Sequence, residues 1–267
     1  MKVLILCGGI GTRLREETEF RPKPMVPIGT QPILWHIMMH YSYYGYRDFV
    51  LALGYKGEMI RQYFLHYRLM VHDFTIDMSA NDAVTLHPCI AAAEDWKVTC
   101  VDTGERALKG ARMRRVKHFL DEDNDDVFLM TYGDGVADVN LDALLRFHRA
   151  HGKLITVTGV IPTMRFGELK TRADGTVSFS EKKTAGPAMV NGGYYVINKK
   201  VLDLLSTEDS CDFEIGLLEE LAEQRQVMMF RHEGFWHCMD NIRDMDALNE
   251  MWRSGKRPWA IWEKGSP

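Results

Sequence analysis

Val3-Leu4-Ile5-Leu6-Cys7-Gly8-Gly9-Ile10-Gly11-Thr12-Arg13-Leu14 opens the chain with an apolar run that breaks into glycines and then a cation. An unbroken apolar run without alternation implies a strand covered on both faces, as in a parallel sheet. Working outward, Ile33, Leu34, Ile37, Met38, Tyr41 and Tyr44 recur at helical spacing, with Pro32 suited to the helix start and Gly45 to its stop. Phe49 to Leu53 repeats the apolar run, and Glu58 to Val71 reads as a second helix. Strand, helix, strand, helix within the first 71 residues predicts a doubly wound α/β sheet with mostly parallel pairing.

Beyond residue 71 the pattern loosens. Met78 to Asp82 reads as a turn and 91–95 as a polar loop. Further strands are expected at Trp96–Val101, Val127–Met130, Ile155–Val160, Val177–Phe179, Tyr194–Ile197 and Val227–Phe230. Helices are expected at 111–120, 141–150, about 212–224 and 243–253. The acidic run Asp121 to Asp126 reads as a solvated loop.

The chain has 267 residues, which favours one large domain. Its formal charge is -4, so there is no basic field for nucleic acid and no polybasic membrane patch. No apolar run approaches the roughly 20 residues that span a bilayer, and Val3 to Cys7 is too short for a secretory core. Five cysteines, at 7, 89, 100, 211 and 238, include no C-x-x-C pair. That argues against a disulfide framework or a zinc ribbon and fits a reducing cytoplasm.

The glycine loop admits three chemistries. A Walker loop requires Lys-Ser or Lys-Thr after its glycines, and neither is present. A dinucleotide fingerprint requires a third glycine where Leu14 stands. The third reading is a nucleotidyltransferase loop: backbone amides face phosphates and Arg13 adds a charged fork. Its partner is Arg21-Pro22-Lys23-Pro24-Met25, in which two prolines hold a lone cation on a stiff extended segment. A tight turn and a surface lysine would explain each piece alone; the pair is more specific. Asp134 follows the strand at 127–130, at the carboxyl end where α/β sheets place ligands.

The combination resembles the sugar-phosphate nucleotidyltransferases through nearly the whole chain. It is carried by Gly8 to Leu14, Lys23-Pro24-Met25, Pro32 to Met38 and Gly54-Tyr55-Lys56-Gly57. Further on it includes Val101-Asp102-Thr103-Gly104, Thr131-Tyr132-Gly133-Asp134-Gly135, Arg165-Phe166-Gly167, Asn191-Gly192-Gly193 and Gly234-Phe235-Trp236. The resemblance implies a Rossmann-like nucleotidyltransferase fold with a small strand-rich sugar-binding addition. It implies a nucleotide half at about 1–135 and a sugar-phosphate half at about 136–267 of a single domain. The implied reaction is Mg2+-dependent transfer of CMP from CTP to a hexose 1-phosphate, glucose 1-phosphate first, giving a CDP-sugar and pyrophosphate. A uridylyl- or thymidylyltransferase acting on another sugar 1-phosphate, and a non-catalytic nucleotide-sugar sensor, stay open beside it. A homo-oligomer is expected.

By the same resemblance, Lys23, Arg13 and Asp134 are catalytic, and Asp134 and Asp240 hold the metal. The nucleotide falls to Leu6, Gly8, Gly9, Gly11, Thr12, Arg13, Lys23, Thr103, Gly104, Arg112 and Gly133, and the sugar phosphate to Glu181, Lys182, Asn191 and Gly192. Read without the family, Asp240 would serve as an N-cap for the following helix and Arg112 as a helix-surface charge. Three stretches depart from the family pattern: Gly110-Ala111-Arg112-Met113, Glu181-Lys182-Lys183, and Phe235 to Asn241, where Cys238 stands for a usual proline. They raise the expectation of a different acceptor phosphate. His36 and His40 share a helix face but lack a third metal ligand, and Trp252, Trp259 and Trp262 read as packing or as an interface.

Overall fold

The computed structural model describes residues 1–79, 83–87, 94–162, 168–171, 177–180 and 188–264, with backbone alone at 168–171, 177–180 and 264. Seven strands form the central sheet: β1 (Lys2–Cys7), β2 (Asp48–Leu53), β3 (Lys97–Asp102), β4 (Val127–Tyr132), β5 (Ile155–Val160), β6 (Val190–Asn198) and β7 (Val227–His232). Their spatial order is β7-β5-β6-β4-β1-β2-β3. β6 alone runs antiparallel to its neighbours β4 and β5; the other pairs are parallel.

The apolar runs are buried because both faces of the sheet are covered. Val3, Ile5 and Cys7 join one core, which includes helix α1 (Ile33–Tyr43). Leu4 and Leu6 join the other, with Met113 from helix α3 (Lys109–Arg115) and Phe213. Helix α2 (Gly57–Val71) connects the β2 side to the edge, and α4 (Leu141–His151) carries the chain from β4 towards β5. Helix α5 (Ile242–Arg253) follows the last short strand.

The chain moves from β1 to β2 and β3 on one side, then returns to place β4 on the other side of β1. The carboxyl ends of β1 and β4 therefore diverge into a crevice at a topological switch point, where open α/β sheets bind ligands. The segment after β1 supplies Gly8 to Lys23, and the segment after β4 supplies Gly133 and Asp134.

Several expectations change. The helix expected at 111–120 is two short ones, 109–115 and 117–120, broken at Val116. The helix expected at 212–224 starts as a wide π-type turn, Phe213–Leu218, where Gly216 has φ 113°. An exposed hairpin, Phe74–Asp77 with Ala83–Leu86, occupies a stretch read as irregular. The acidic run is a loop but not merely solvated: Glu122 meets Lys2 at 2.6 Å and Asp123 meets Lys199 at 2.5 Å. The carboxyl-terminal tryptophans pack back on the domain. Trp259 is fully buried, and Trp252 and Trp262 lie against His36. His36 and His40 are packing residues whose Nε2 atoms meet the carbonyls of Ile28 and Val139 at 3.0 and 2.9 Å.

Candidate active site

Two segments far apart in sequence are laced together beside the crevice. Trp236–Cys238 pairs antiparallel with Gly135–Ala137, with Cys238 opposite Gly135. The amide of Met239 donates to the carbonyl of Asp134 at 2.8 Å. This small ladder brings Asp134, just before one strand, next to Asp240, just after the other.

Asp240 is not the helix cap. Asn241 is, accepting from the Asp244 amide at 3.2 Å, while Asp244 accepts from the amides of Asp240 and Asn241 at 3.1 and 3.2 Å. The capping box fixes the backbone at Asp240 and leaves its carboxylate free to face the crevice.

Lys23 enters from the opposite wall. Pro22 is extended, but Lys23–Met25 is a short 3-10 turn rather than a fully extended segment, closed by Met25 N to Pro22 O at 2.8 Å and Val26 N to Lys23 O at 3.1 Å. The Lys23 ammonium, nearly buried, donates to Asp134 at 2.7 Å and to Asp240 at 2.8 Å. Burial opposes its charge, yet Asp134 and Asp240 together raise its pKa above the usual lysine value. Asp240 feels the reverse: burial would raise its carboxyl pKa, but Lys23 and Arg13 bring it below the usual range. Arg13 reaches Asp240 at 2.8 Å from a side chain that is 75% exposed.

These groups line a cavity of about 550 Å³, with Leu6, Gly8, Gly9, Gly11, Thr12, Arg112, Gly133, Asn191 and Gly192 also in its wall. That volume suits a nucleotide-sized ligand. Gly133 has to lack a side chain: a Cβ there would lie 2.8 Å from Pro24 and 3.2 Å from the Leu6 carbonyl.

Arg112 lies in the wall but is neither a surface charge nor a free one. Its guanidinium donates to the carbonyls of Leu53, Gly104, Gly8 and Glu105, and to the Thr103 hydroxyl, at 2.8 to 3.2 Å. Gly8 exists for this side chain as much as for any phosphate, since a Cβ there would sit 2.0 Å from the guanidinium. Thr103 is fully buried and donates onward to Leu53 O at 2.5 Å. Thr103 thus stands behind the cavity wall, and Gly104 is partly exposed with its carbonyl held by Arg112. Glu181 and Lys182 lie outside the described residues.

The model of the nucleotidyl transferase family matches residues 2–252. The chain belongs to that family. Two curated members are similar to this nucleotidyl transferase over nearly its whole length. It is 47% identical to the glucose-1-phosphate cytidylyltransferase of Salmonella typhimurium, covering 98% of this chain and 100% of that one. The protein of the same name from Salmonella typhi is 46% identical with the same coverage. Among solved structures, HddC from Yersinia pseudotuberculosis shares the fold with a TM-score of 0.65 at 21% identity, over 94% of this chain and 99% of that one.

The nucleotidyl transferase site also holds residues that sequence reading missed. Glu214 accepts from Lys109, from the Tyr132 hydroxyl and, at 3.0 Å, from the Asn191 amide. The oxygen end of that amide accepts from Gly193 N at 2.9 Å, so both of its ends are engaged. Trp236 donates to Gly192 O at 2.8 Å and fixes the start of β6. Glu214 had no readable signal, because it lies in a kinked turn with no motif. Cys238 had one, as a departure two residues from Asp240.

Proposed function

We propose that the protein transfers CMP from CTP to glucose 1-phosphate, giving CDP-glucose and pyrophosphate. One observation carries this reading: Lys23 bridges Asp134 and Asp240 in the crevice. It stands in a chain 47% identical, nearly end to end, to a glucose-1-phosphate cytidylyltransferase.

A phosphate oxygen of the sugar 1-phosphate attacks the α-phosphorus of CTP. The bond from that phosphorus to the bridging oxygen breaks, and pyrophosphate leaves with the electron pair. The nucleophile is already anionic, so no general base is required; alignment and charge neutralisation do the chemistry. Asp134 and Asp240 fit Mg2+: they are hard oxygen donors, partly exposed, that already converge on one cationic atom. When bound, the ion supplies charge neutralisation at the triphosphate.

Lys23 holds both carboxylates, and its N–H donors are freed for the phosphate oxygens once an ion is taken up between them. Arg13, mostly exposed and tied by one nitrogen, offers the rest of its fork to the departing pyrophosphate. Gly8, Gly9, Gly11 and Thr12 are assigned to the nucleotide phosphates, and Asn191, Gly192, Glu181 and Lys182 to the sugar phosphate. The nucleotide half, about 1–135, and the sugar half, about 136–267, meet at this crevice.

Pyrophosphate release across a grid of nucleoside triphosphates and sugar 1-phosphates, with Mg2+, tests the reading. CTP with glucose 1-phosphate is expected to give the highest rate. Faster turnover with UTP or dTTP, or none with CTP, overturns it. The protein is further read as a cytoplasmic homo-oligomer. Free Cys7, Cys100, Cys211 and Cys238 fit a reducing compartment, and light scattering tests the assembly. No helix among the described residues is long and apolar enough to cross a membrane.

A further inference from the structure

The crevice holds a third donor that the proposed reaction does not use. Cys238 lies in the cavity wall, two residues before Asp240. Its Sγ, a carboxylate oxygen of Asp134 and one of Asp240 all lie within 4.8 Å of one another. Around a zinc ion, sulfur and oxygen ligands stand about 3.5 Å apart, from bonds of about 2.3 and 2.0 Å. Side-chain rotation on ion uptake has to close that difference. Three protein donors with a fourth position open is the donor count of a catalytic-type zinc site.

A second observation marks the same point as a place for a cation. The Lys23 ammonium already sits between the two carboxylates, at 2.7 and 2.8 Å. An incoming ion replaces that ammonium and need not create a new cation-binding field. Register explains why sulfur is present at the same depth: Cys238 pairs opposite Gly135, so the ladder that aligns Asp134 with Asp240 also carries the thiol.

We infer that Asp134, Asp240 and Cys238 form a three-donor site for a thiophilic divalent cation such as Zn2+. A hard ion such as Mg2+ uses the oxygens and ignores the sulfur; a softer ion uses all three. Coordination forms a metal–sulfur bond and releases the thiol proton to water. The same crevice thereby discriminates between two classes of ion. A thiophilic one holds the two carboxylates and competes with the ion proposed for turnover. This inference rests on the carboxylate pair of the proposed function but adds a ligand to it.

The test is a Co2+ titration of the full-length, substrate-free protein, followed by optical absorption. Wild type is expected to develop a near-ultraviolet thiolate-to-cobalt band at one ion per chain, which Zn2+ abolishes. Cys238→Ser is expected to lack the band and to bind Co2+ about tenfold or more weakly, as loss of the soft ligand predicts. Asp240→Asn, which keeps the thiol, is expected to weaken the band's apparent affinity. Circular dichroism checks that each variant is folded. A band of equal strength in Cys238→Ser, or no band in wild type, overturns the inference. Pyrophosphate release by wild type with Mg2+ is measured separately. Turnover without a thiolate band removes the three-donor site and leaves the proposed function standing.

Discussion

Two cations stand at the carboxyl ends of the same sheet, and their partners differ in kind. Lys23 faces two carboxylates across an open crevice. Arg112 faces four backbone carbonyls and a hydroxyl, from the last residue of β2 and the loops that follow β1 and β3. Carboxylates can exchange one cation for another. Carbonyls belonging to two loops and a strand end cannot let go without moving that backbone. Under the proposed function Lys23 serves the chemistry, while Arg112 holds the walls in register. Arg112 retains its place although burial lowers its pKa, because its two terminal nitrogens serve five acceptors that would otherwise be stranded.

The contrast is broken most directly at Lys23. Lys23→Ala should lower pyrophosphate release by about two to three decades, about 3–4 kcal/mol of transition-state stabilisation, while far-ultraviolet circular dichroism stays native. Near-normal turnover would put Lys23 on the same footing as a structural cation.

Arg112→Lys probes the other side. A lysine has three donors and no planar fork, so several buried carbonyls lose partners. The expected cost is about 2–3 kcal/mol in urea unfolding. If turnover falls by decades with stability unchanged, the division of roles between the two cations fails.

The buried histidines sharpen the comparison, since they too meet carbonyls. His36 and His40 are driven by burial to a pKa of about 4, from an unfolded value near 6.5. Between those values the unfolded chain takes up protons that the folded chain refuses. Stability therefore falls as pH drops from about 6.5 towards 4, by at most about 1.4 kcal/mol per pH unit for each group. Urea midpoints at pH 7 and 5 measure this, and His40→Gln should flatten the dependence. A carbonyl partner thus keeps a guanidinium in place but does not keep an imidazole charged.

The smallest effect is expected at Glu214, which holds Lys109 and Asn191 from a partly exposed position. Glu214→Gln should raise the KM for sugar phosphate about threefold, under 1 kcal/mol, with kcat nearly constant. A larger change in kcat would move Glu214 into the reacting centre.

The parallel strands were legible because double burial leaves unbroken apolar runs, as at Val3 to Cys7 and Phe49 to Leu53. The hairpin at 74–77 and 83–86 was not: Phe74, Ile76, Val84 and Leu86 alternate with polar neighbours, but the runs are only four residues long and every residue in them is exposed. Lys23, Asp134 and Asp240 could each be named from their local strings, but their meeting depends on the short ladder between 135–137 and 236–238. The anchorage of Arg112 left no trace, because carbonyl acceptors are common to every residue type. Asp240 as a helix cap was a fair local reading; Asn241 took that role one residue later.

The ammonium of Lys23 closes contacts that span 111 and 217 positions along the chain. Such a centre cannot be assembled from either end alone. Fragments that retain sheet structure should be catalytically silent, and regained turnover during renaturation should report that the whole polypeptide has arrived.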